Sequence, residues 1–249
     1  MTEAPGPVTL EPIRMRGAAA THPGRVREHN EDAALVRDDA ALWAVADGMG
    51  GHSRGDFASA LVVDHLRRLP RDGDPRERLR ALVAGVEQAN AALRAEAARV
   101  GAEAIGSTLV LFMAAGRRGL FAWIGDSRGY VLRDGALRQA TRDHSVVQEL
   151  VERGRLSEAE AEAHPHAHVL TRAIGAADSA EFDFAQIDLR RGDRILLCSD
   201  GLTREVRPER LRDILAAAPD AQGACAELVE AALAGGGRDN VTAVVVDLA

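Results

Sequence analysis

The chain has 249 residues, a formal net charge of −7 and no lysine, because all 31 of its basic residues are arginines. One domain is expected at this length, and 46% apolar with 28% charged residues predicts a soluble globular protein. The missing lysine excludes a Walker-type phosphate loop and Schiff-base chemistry, and the acidic balance disfavours nucleic acid as the main partner.

Cysteine content and hydropathy predict a cytoplasmic location. Cys198 and Cys225 are too few for a disulfide framework, and residues 1–15 lack the apolar segment of a signal peptide. The longest apolar run, 109–115, is far too short to cross a bilayer, so no membrane partner is expected.

Residues 1–13 are expected to form a flexible tail, and residues 14–249 a single domain whose first strand begins near residue 15. The first half then predicts, in chain order, a strand over 41–46, a helix over 56–69, a helix that begins at Pro75 after the N-cap Asp74, and strands over 108–114 and 120–124.

The second half predicts a hairpin over 130–138, a polar helix over 146–163, strands around 182–184 and over 194–199, helices over 208–217 and 221–234, and a last strand over 241–248. Strands cluster with pairs of helices between them, and no regular βαβ alternation appears. The pattern therefore predicts an α+β fold in which antiparallel sheets are covered by helices.

Four aspartates lie at predicted strand ends, each close to glycine: Asp47, Asp126, Asp200 and Asp239. Taken singly, Asp-Gly pairs are most often turns. Four carboxylates at one end of a sheet would repel each other unless a cation compensates. Hard divalent ions such as Mg²⁺ and Mn²⁺ prefer such oxygen ligands and retain several waters, so the pattern is typical of a metal site.

Several motifs then appear in an order that resembles the metal-dependent protein phosphatases of the PP2C (PPM) type, in their bacterial form. The match covers residues 14–248. The motifs are residues 24–32 (GRVREHNED), 45–52 (VADGMGGH), 106–110 (GSTLV), 125–128 (GDSR), 137–145, 169–175 (VLTRAIG), 198–202 (CSDGL) and 237–242 (GRDNVT).

The resemblance implies two packed antiparallel β-sheets flanked by pairs of α-helices, a four-layer αββα arrangement. It also implies two tightly bound Mn²⁺ or Mg²⁺ ions. Asp47 would bridge them, the Gly48 carbonyl would bind the second, and Asp200 and Asp239 would complete the ligands of the first.

Further roles follow from the same resemblance. Asp126, with Asp200, would hold a weaker third ion, and Arg27 would bind the substrate phosphate. Glu31 and Asp32 would act mainly through metal-bound waters. Two metals generate hydroxide from water and neutralise phosphoryl oxygens, and arginine matches phosphate oxygens two at a time.

The general acid is less directly indicated, because Met49 stands where eukaryotic relatives place a histidine after the Asp-Gly pair. His52, three residues later, is the candidate, since histidine titrates near neutral pH. His144 recurs in the family motif and has a structural alternative. The segment 145–170 corresponds, by the same resemblance, to the family's mobile flap and is a candidate for substrate selection. It contains the run His164, His166 and His168, and this run does not predict a separate metal site.

Cys198 and Arg204 satisfy the Cys-x5-Arg spacing of cysteine-dependent phosphatases. That chemistry needs a thiolate of lowered pKa inside a phosphate cradle. Asp200 would repel the phosphate there, and the apolar strand before Cys198 would raise its pKa. The sequence therefore argues against a cysteine nucleophile.

The expected function is metal-dependent hydrolysis of phosphoserine and phosphothreonine on proteins, with phosphoprotein substrates and a bacterial Ser/Thr kinase as the opposing enzyme. Two alternatives remain. One is a catalytically silent domain used as a regulatory binding module. The other is a dedicated phosphatase of a stress-signalling regulator, which differs in partner more than in chemistry.

Overall fold

The structure, a computed structural model, describes residues 13–50, 54–162 and 164–249. The eleven strands of this part of the chain are β1 (Met15–His22), β2 (Asp32–Arg37), β3 (Leu42–Gly50), β4 (Ile105–Ser107), β5 (Leu109–Ala115), β6 (Arg118–Ile124), β7 (Arg128–Arg133), β8 (Ala136–Gln139), β9 (Asp183–Asp188), β10 (Arg194–Cys198) and β11 (Val241–Leu248).

The strands form two antiparallel sheets. One sheet has the order β1-β11-β10-β7-β8, and the other has the order β2-β3-β5-β6-β9 with β4 paired to β3. Asp134 and Gly135 both have positive φ in the tight turn between β7 and β8, as the right-handed twist of a two-residue hairpin requires.

Seven α-helices are present among the described residues: α1 (Gly55–Arg67), α2 (Pro75–Val100), α3 (Val146–Glu152), α4 (Glu158–Glu162), α5 (Asp200–Thr203), α6 (Pro208–Ala217) and α7 (Ala221–Gly235). The start of α2 is set locally: the Asp74 carboxylate accepts hydrogen bonds from the Arg76 and Glu77 amides, and Pro75 occupies the first turn. None of the described helices is long and apolar enough to cross a membrane.

Three apolar layers hold the elements together. The two sheets face each other across a core that includes Trp43, Phe112 and Val244. The outer face of the β2–β9 sheet packs on α1 and α2, and the outer face of the β1–β8 sheet packs on α6 and α7. The α+β class and the predicted four-layer αββα arrangement are therefore confirmed.

Local boundaries differ from the prediction in three places. The predicted helix 146–163 is two short helices, because Gly154 adopts a φ of +64° after α3 and ends it. Strand β3 does not stop before Asp47 but continues to Gly50, because Gly48–Gly50 pair with β4. Strands β2 and β4 were not predicted. The predicted tail over 1–13 lies almost entirely outside the described residues and stays a prediction.

Candidate active site

The four aspartates converge at one end of the sandwich and come from both sheets. Asp47 lies in β3 and Asp126 follows β6, in one sheet; Asp200 follows β10 and Asp239 precedes β11, in the other. The pKa of the Asp47 carboxyl lies well above its ordinary value, first because it is withdrawn from water and then because Asp32 and the other three aspartates repel its charge. The chain thus builds an acidic cluster from segments far apart in sequence.

Asp32 belongs to the same cluster through strand pairing. It lies directly opposite Asp47 in the β2–β3 register. The Ser199 hydroxyl donates to its Oδ2 at 2.8 Å, while its buried Oδ1 has no hydrogen-bond partner among the described residues. Burial, with repulsion from Asp200 and Asp239, raises the pKa of Asp32 to about 7.

Asp126 is the most enclosed of these carboxylates, with 8% of the residue exposed. It follows Gly125, whose φ of +105° allows the chain to turn against Thr108, where a Cβ would approach within 2.7 Å. Burial and the charges of Asp200 and Asp143 raise the pKa of Asp126 to about 8, while Arg204 and Arg128 lower it. The pKa of Asp200 is also raised, chiefly by burial.

Two arginines offset part of this negative charge. The Arg27 Nε lies 2.9 Å from Asp239 Oδ1, and its Nη2 donates to Oδ2 at 3.0 Å. Arg204 forms ion pairs with both Asp200 and Asp239, the second at 3.3 Å. The Arg27 side chain remains 54% exposed, so its outer edge faces solvent beside the cluster.

The loop that carries Arg27 is fixed by Asn240. The Asn240 Nδ2 donates to the carbonyls of Pro23 and His29 at 3.0 and 2.9 Å, and the Glu31 amide donates to its Oδ1 at 2.8 Å. A Cβ at Gly24 would lie 2.3 Å from the Asp239 carbonyl, so the two loops are in direct contact. Asn240 stands in one of the matched motifs, yet its anchoring role was not predicted.

Glu31 lies beside the cluster and supports the start of α1. Its Oε1 accepts from the Gly55 amide at 3.0 Å, and its carbonyl accepts from the Gly48 amide, also at 3.0 Å. Gly48 packs so closely on Gly55 that a Cβ would lie 1.8 Å from the Gly55 carbonyl oxygen. The sequence therefore needs glycine at position 48 for packing, whatever its carbonyl binds.

The histidines occupy distinct places. His52 lies outside the described residues, so its general-acid role stays a prediction. His144 is buried, accepts from the Gly125 amide through Nδ1 at 3.1 Å, and places Nε2 3.2 Å from Asp183 Oδ2. Burial lowers the pKa of His144, and its contacts give it a structural role in holding the Gly125 turn.

In the segment 145–170, the rings of His164 and His166 lie 5.5 Å apart, and the His168 ring lies near enough to Asp200 for a positive charge on it to oppose the raised pKa of that carboxyl. The bridge between Ser145 and Leu170 joins the two ends of this segment, and the Thr171 amide donates to the His144 carbonyl at 2.9 Å. The His144 amide in turn donates to the Gly125 carbonyl at 2.9 Å, directly before Asp126. The predicted flap thus lies close to the acidic cluster.

Cys198 cannot serve as the nucleophile of a cysteine-dependent phosphatase. Its side chain is fully buried at the end of β10, and burial raises the pKa of the thiol to about 12. The Arg204 guanidinium, which the Cys-x5-Arg spacing would place on phosphate, is instead paired with aspartates. Both observations agree with the rejection of this motif from sequence.

The donor set of the cluster fits a hard divalent cation. It offers carboxylate oxygens that repel one another, one of them without a partner, and such ions bind through few carboxylates plus waters. As the described side chains stand, no three histidine, cysteine, aspartate or glutamate residues are arranged to hold a metal ion. In this arrangement, oxygens of Asp200 and Asp239 face guanidinium groups.

Comparison with known proteins agrees with the architecture and the motifs. The family model described as Protein phosphatase 2C matches residues 17–234. The Mycobacterium tuberculosis serine/threonine protein phosphatase PstP is 42% identical over 235 residues, which are 94% of this chain and 45% of that protein. The chain therefore spans less than half the length of this relative.

Two further relatives match this chain over nearly its whole length and over nearly the whole of their own. The serine/threonine phosphatase stp of Listeria welshimeri is 35% identical over 94% of this chain and 96% of its own length. The crystal structure of the PstP catalytic domain in complex with two manganese ions superposes with a TM-score of 0.86 at 40% identity, covering 95% of this chain and 99% of that chain. By family model, sequence identity and fold together, this chain belongs to the protein phosphatase 2C family.

Proposed function

We propose that the chain is a metal-dependent phosphatase that hydrolyses phosphoserine and phosphothreonine on proteins. The observation that carries this proposal is the acidic cluster assembled from both sheets with Arg27 exposed at its edge. Relatives that carry the name serine/threonine phosphatase support the choice of substrate class.

The residues have separate roles in this proposal. Asp47 would bridge two ions, with Asp200 and Asp239 on the first and the Gly48 carbonyl on the second, while Asp126 and Asp200 would hold a weaker third. When bound, the divalent ions supply a hydroxide nucleophile and neutralise the phosphoryl oxygens. Manganese in the PstP complex supports the type of ion, and Mg²⁺ is its alternative.

The protein side chains bind and orient the phosphate. Arg27 presents two guanidinium edges: one pairs with Asp239 and the other is free to face a phosphate oxygen beside the cluster. Asp32 and Glu31 lie at the same end of β2 and would hold waters around the ions. His52 would donate the proton to the leaving serine or threonine oxygen.

The proposed setting is a bacterial cytoplasm in which the enzyme opposes a Ser/Thr kinase. Two buried, unpaired cysteines agree with a reducing compartment. A dedicated phosphatase of a stress-signalling regulator would use the same site. A catalytically silent binding module is the less supported alternative, because Asp47, Asp126, Asp200 and Asp239 are all retained and lie together.

The test is phosphate release from phosphoserine, phosphothreonine and phosphotyrosine peptides by the wild type and by Asp47→Asn, each with Mn²⁺. We expect turnover of the first two peptides by the wild type and at least a hundredfold less by the variant. Equal rates for both proteins, or no wild-type activity on any peptide, would refute the proposal.

A further inference from the structure

Arg204 is placed across two of the proposed metal ligands. It follows Asp200 by four residues, so the turn of α5 brings its guanidinium back over the Asp200 carboxylate, to which it is paired. The same guanidinium donates through Nη1 to Asp239 Oδ2 at 3.3 Å. One cation thus bridges the ends of two neighbouring strands, β10 and β11.

The position of Arg204 is enclosed enough for this charge to matter. Its side chain is 33% exposed, while those of Asp200 and Asp239 are only 14% and 22% exposed. Partly buried ion pairs are screened less by water and salt than pairs on an open surface. Without a neighbouring cation, several carboxylates would repel one another here.

A divalent ion and Arg204 require the same oxygens. An ion at the proposed first site needs lone pairs of Asp200 and Asp239, and Arg204 uses oxygens of both carboxylates. Arg27 shares Asp239 but makes no such bridge to Asp200. The two arginines therefore differ: Arg27 lies at the edge of the cluster, and Arg204 spans the pair of ligands.

We propose that Arg204 is a tethered counterion of the metal-free protein that competes with the divalent ion for Asp200 and Asp239 and so sets the metal affinity of the site. This inference rests on the proposed function. Arg204 stabilises the acidic cluster when no ion is bound and must leave at least one carboxylate when an ion binds. Its residual positive charge then also opposes the ion.

The experiment measures Mn²⁺ binding directly, by calorimetry on chelator-stripped protein without substrate. The variants are Arg204→Gln and the control Arg207→Gln, which removes the same charge from an exposed residue at the start of α6. We expect Arg204→Gln to bind Mn²⁺ about tenfold more tightly than the wild type, as loss of one competing charge-assisted pair implies, and the control to change less than twofold.

A second readout follows the metal-free state. In EDTA, Arg204→Gln should unfold at a lower temperature than the wild type, because the cluster loses its counterion, and Mn²⁺ should raise its Tm by more than it raises that of the wild type. If Arg204→Gln does not fold without metal, Arg204→Lys keeps the charge but cannot span both carboxylates, and should bind Mn²⁺ about threefold more tightly than the wild type.

The outcomes separate the two proposals. Unchanged or weaker Mn²⁺ binding by the Arg204 variants would overturn the competition and make Arg204 a residue that orients Asp200 for the ion. Failure of the wild-type protein to bind Mn²⁺ at all would instead overturn the proposed metal site itself. Tighter binding by Arg204→Gln, with the control unchanged, would support the inference.

Discussion

Two arginine side chains share the Asp239 carboxylate and differ in their exposure to solvent. Arg27 uses Nε and Nη2 on Asp239 and is 54% exposed, whereas Arg204 is 33% exposed and also pairs with Asp200. A substrate phosphate approaching from solvent would meet Arg27 first. The guanidinium fork can hold a carboxylate on one edge and a phosphate on the other.

Arg27→Ala should therefore lower kcat/KM for a phosphopeptide about tenfold to hundredfold, because a charge-assisted hydrogen bond to phosphate contributes about 1.5–3 kcal/mol. Steady-state kinetics with saturating Mn²⁺ measure the loss. Arg138→Ala, an exposed arginine on β8, is the control and should leave the rate unchanged. Equal kinetics for wild type and Arg27→Ala would make Arg27 only the partner of Asp239.

Asp126 is the residue for which a structural and a functional role diverge most. Its carboxylate is buried after the Gly125 turn, and the charge of Asp200 raises its pKa. The two carboxylates therefore lie near enough to repel each other. An ion held by Asp126 and Asp200 would have two carboxylate ligands, against three for the first ion, and should bind more weakly than that ion.

Asp126→Ala should keep the two tight ions and lose most turnover on a phosphopeptide. Activity titrated against Mn²⁺ should also lose its dependence at millimolar concentrations, because the weak site disappears. Calorimetry on the same protein checks that the tight binding remains. Identical titration curves and rates for the two proteins would leave Asp126 as a turn residue.

At the scale of elements, the site depends on loops that are tied to strand ends. Asn240 precedes β11 and makes three hydrogen bonds with the loop before β2. Its side-chain amide donates to the carbonyls of Pro23 and His29 and accepts from the amide of Glu31. Buried polar groups left without partners are costly, so this contact both stabilises the fold and positions Arg27.

Asn240→Ala should lower the free energy of unfolding by about 2–4 kcal/mol, since it removes these hydrogen bonds and leaves buried groups unpaired. Urea denaturation of the metal-free protein measures the change. Hydrogen exchange should accelerate in residues 23–31 before the rest of the chain. Protection of that loop equal to wild type would show that other contacts hold it.

Elements with strong local signals were predictable from sequence. The capped start of α2, helix α6 and strand β11 lie where the patterns place them. The predicted end of β3 was wrong, since Asp47-Gly48 is a turn by local preference and becomes strand only through tertiary pairing, of Asp47 with β2 and of Gly48 with β4. The 146–163 helix was wrong because a glycine ended it.

The candidate site was predictable only in part. The motifs and the family resemblance placed Asp47, Asp126, Asp200 and Asp239 together, and the structure brings them together. Arg204 and Ser199 were missed as parts of the cluster. Arg204 is one of 31 arginines in this chain. Its spacing of four from Asp200 brings the two side chains together only if the segment is helical, and its contact with Asp239 emerges only when β10 and β11 are neighbours.

At the scale of the whole molecule, the cluster exists only when the two sheets pack. Each sheet supplies two of the four aspartates, and the apolar layer between the sheets sets their separation. A divalent ion that binds the packed state and not the unfolded chain would stabilise the fold by mass action. Metal binding and global stability should therefore be linked in this protein.

The most direct test of the central claim is phosphate release from a phosphothreonine peptide in EDTA and after Mn²⁺ is restored, by the wild type and by Cys198→Ser. A hydrolysis that depends on the acidic cluster should vanish in EDTA, return with Mn²⁺ and persist in Cys198→Ser, because the Cys198 thiol is buried with a pKa of about 12. Full activity in EDTA, together with loss of activity in Cys198→Ser, would contradict the account.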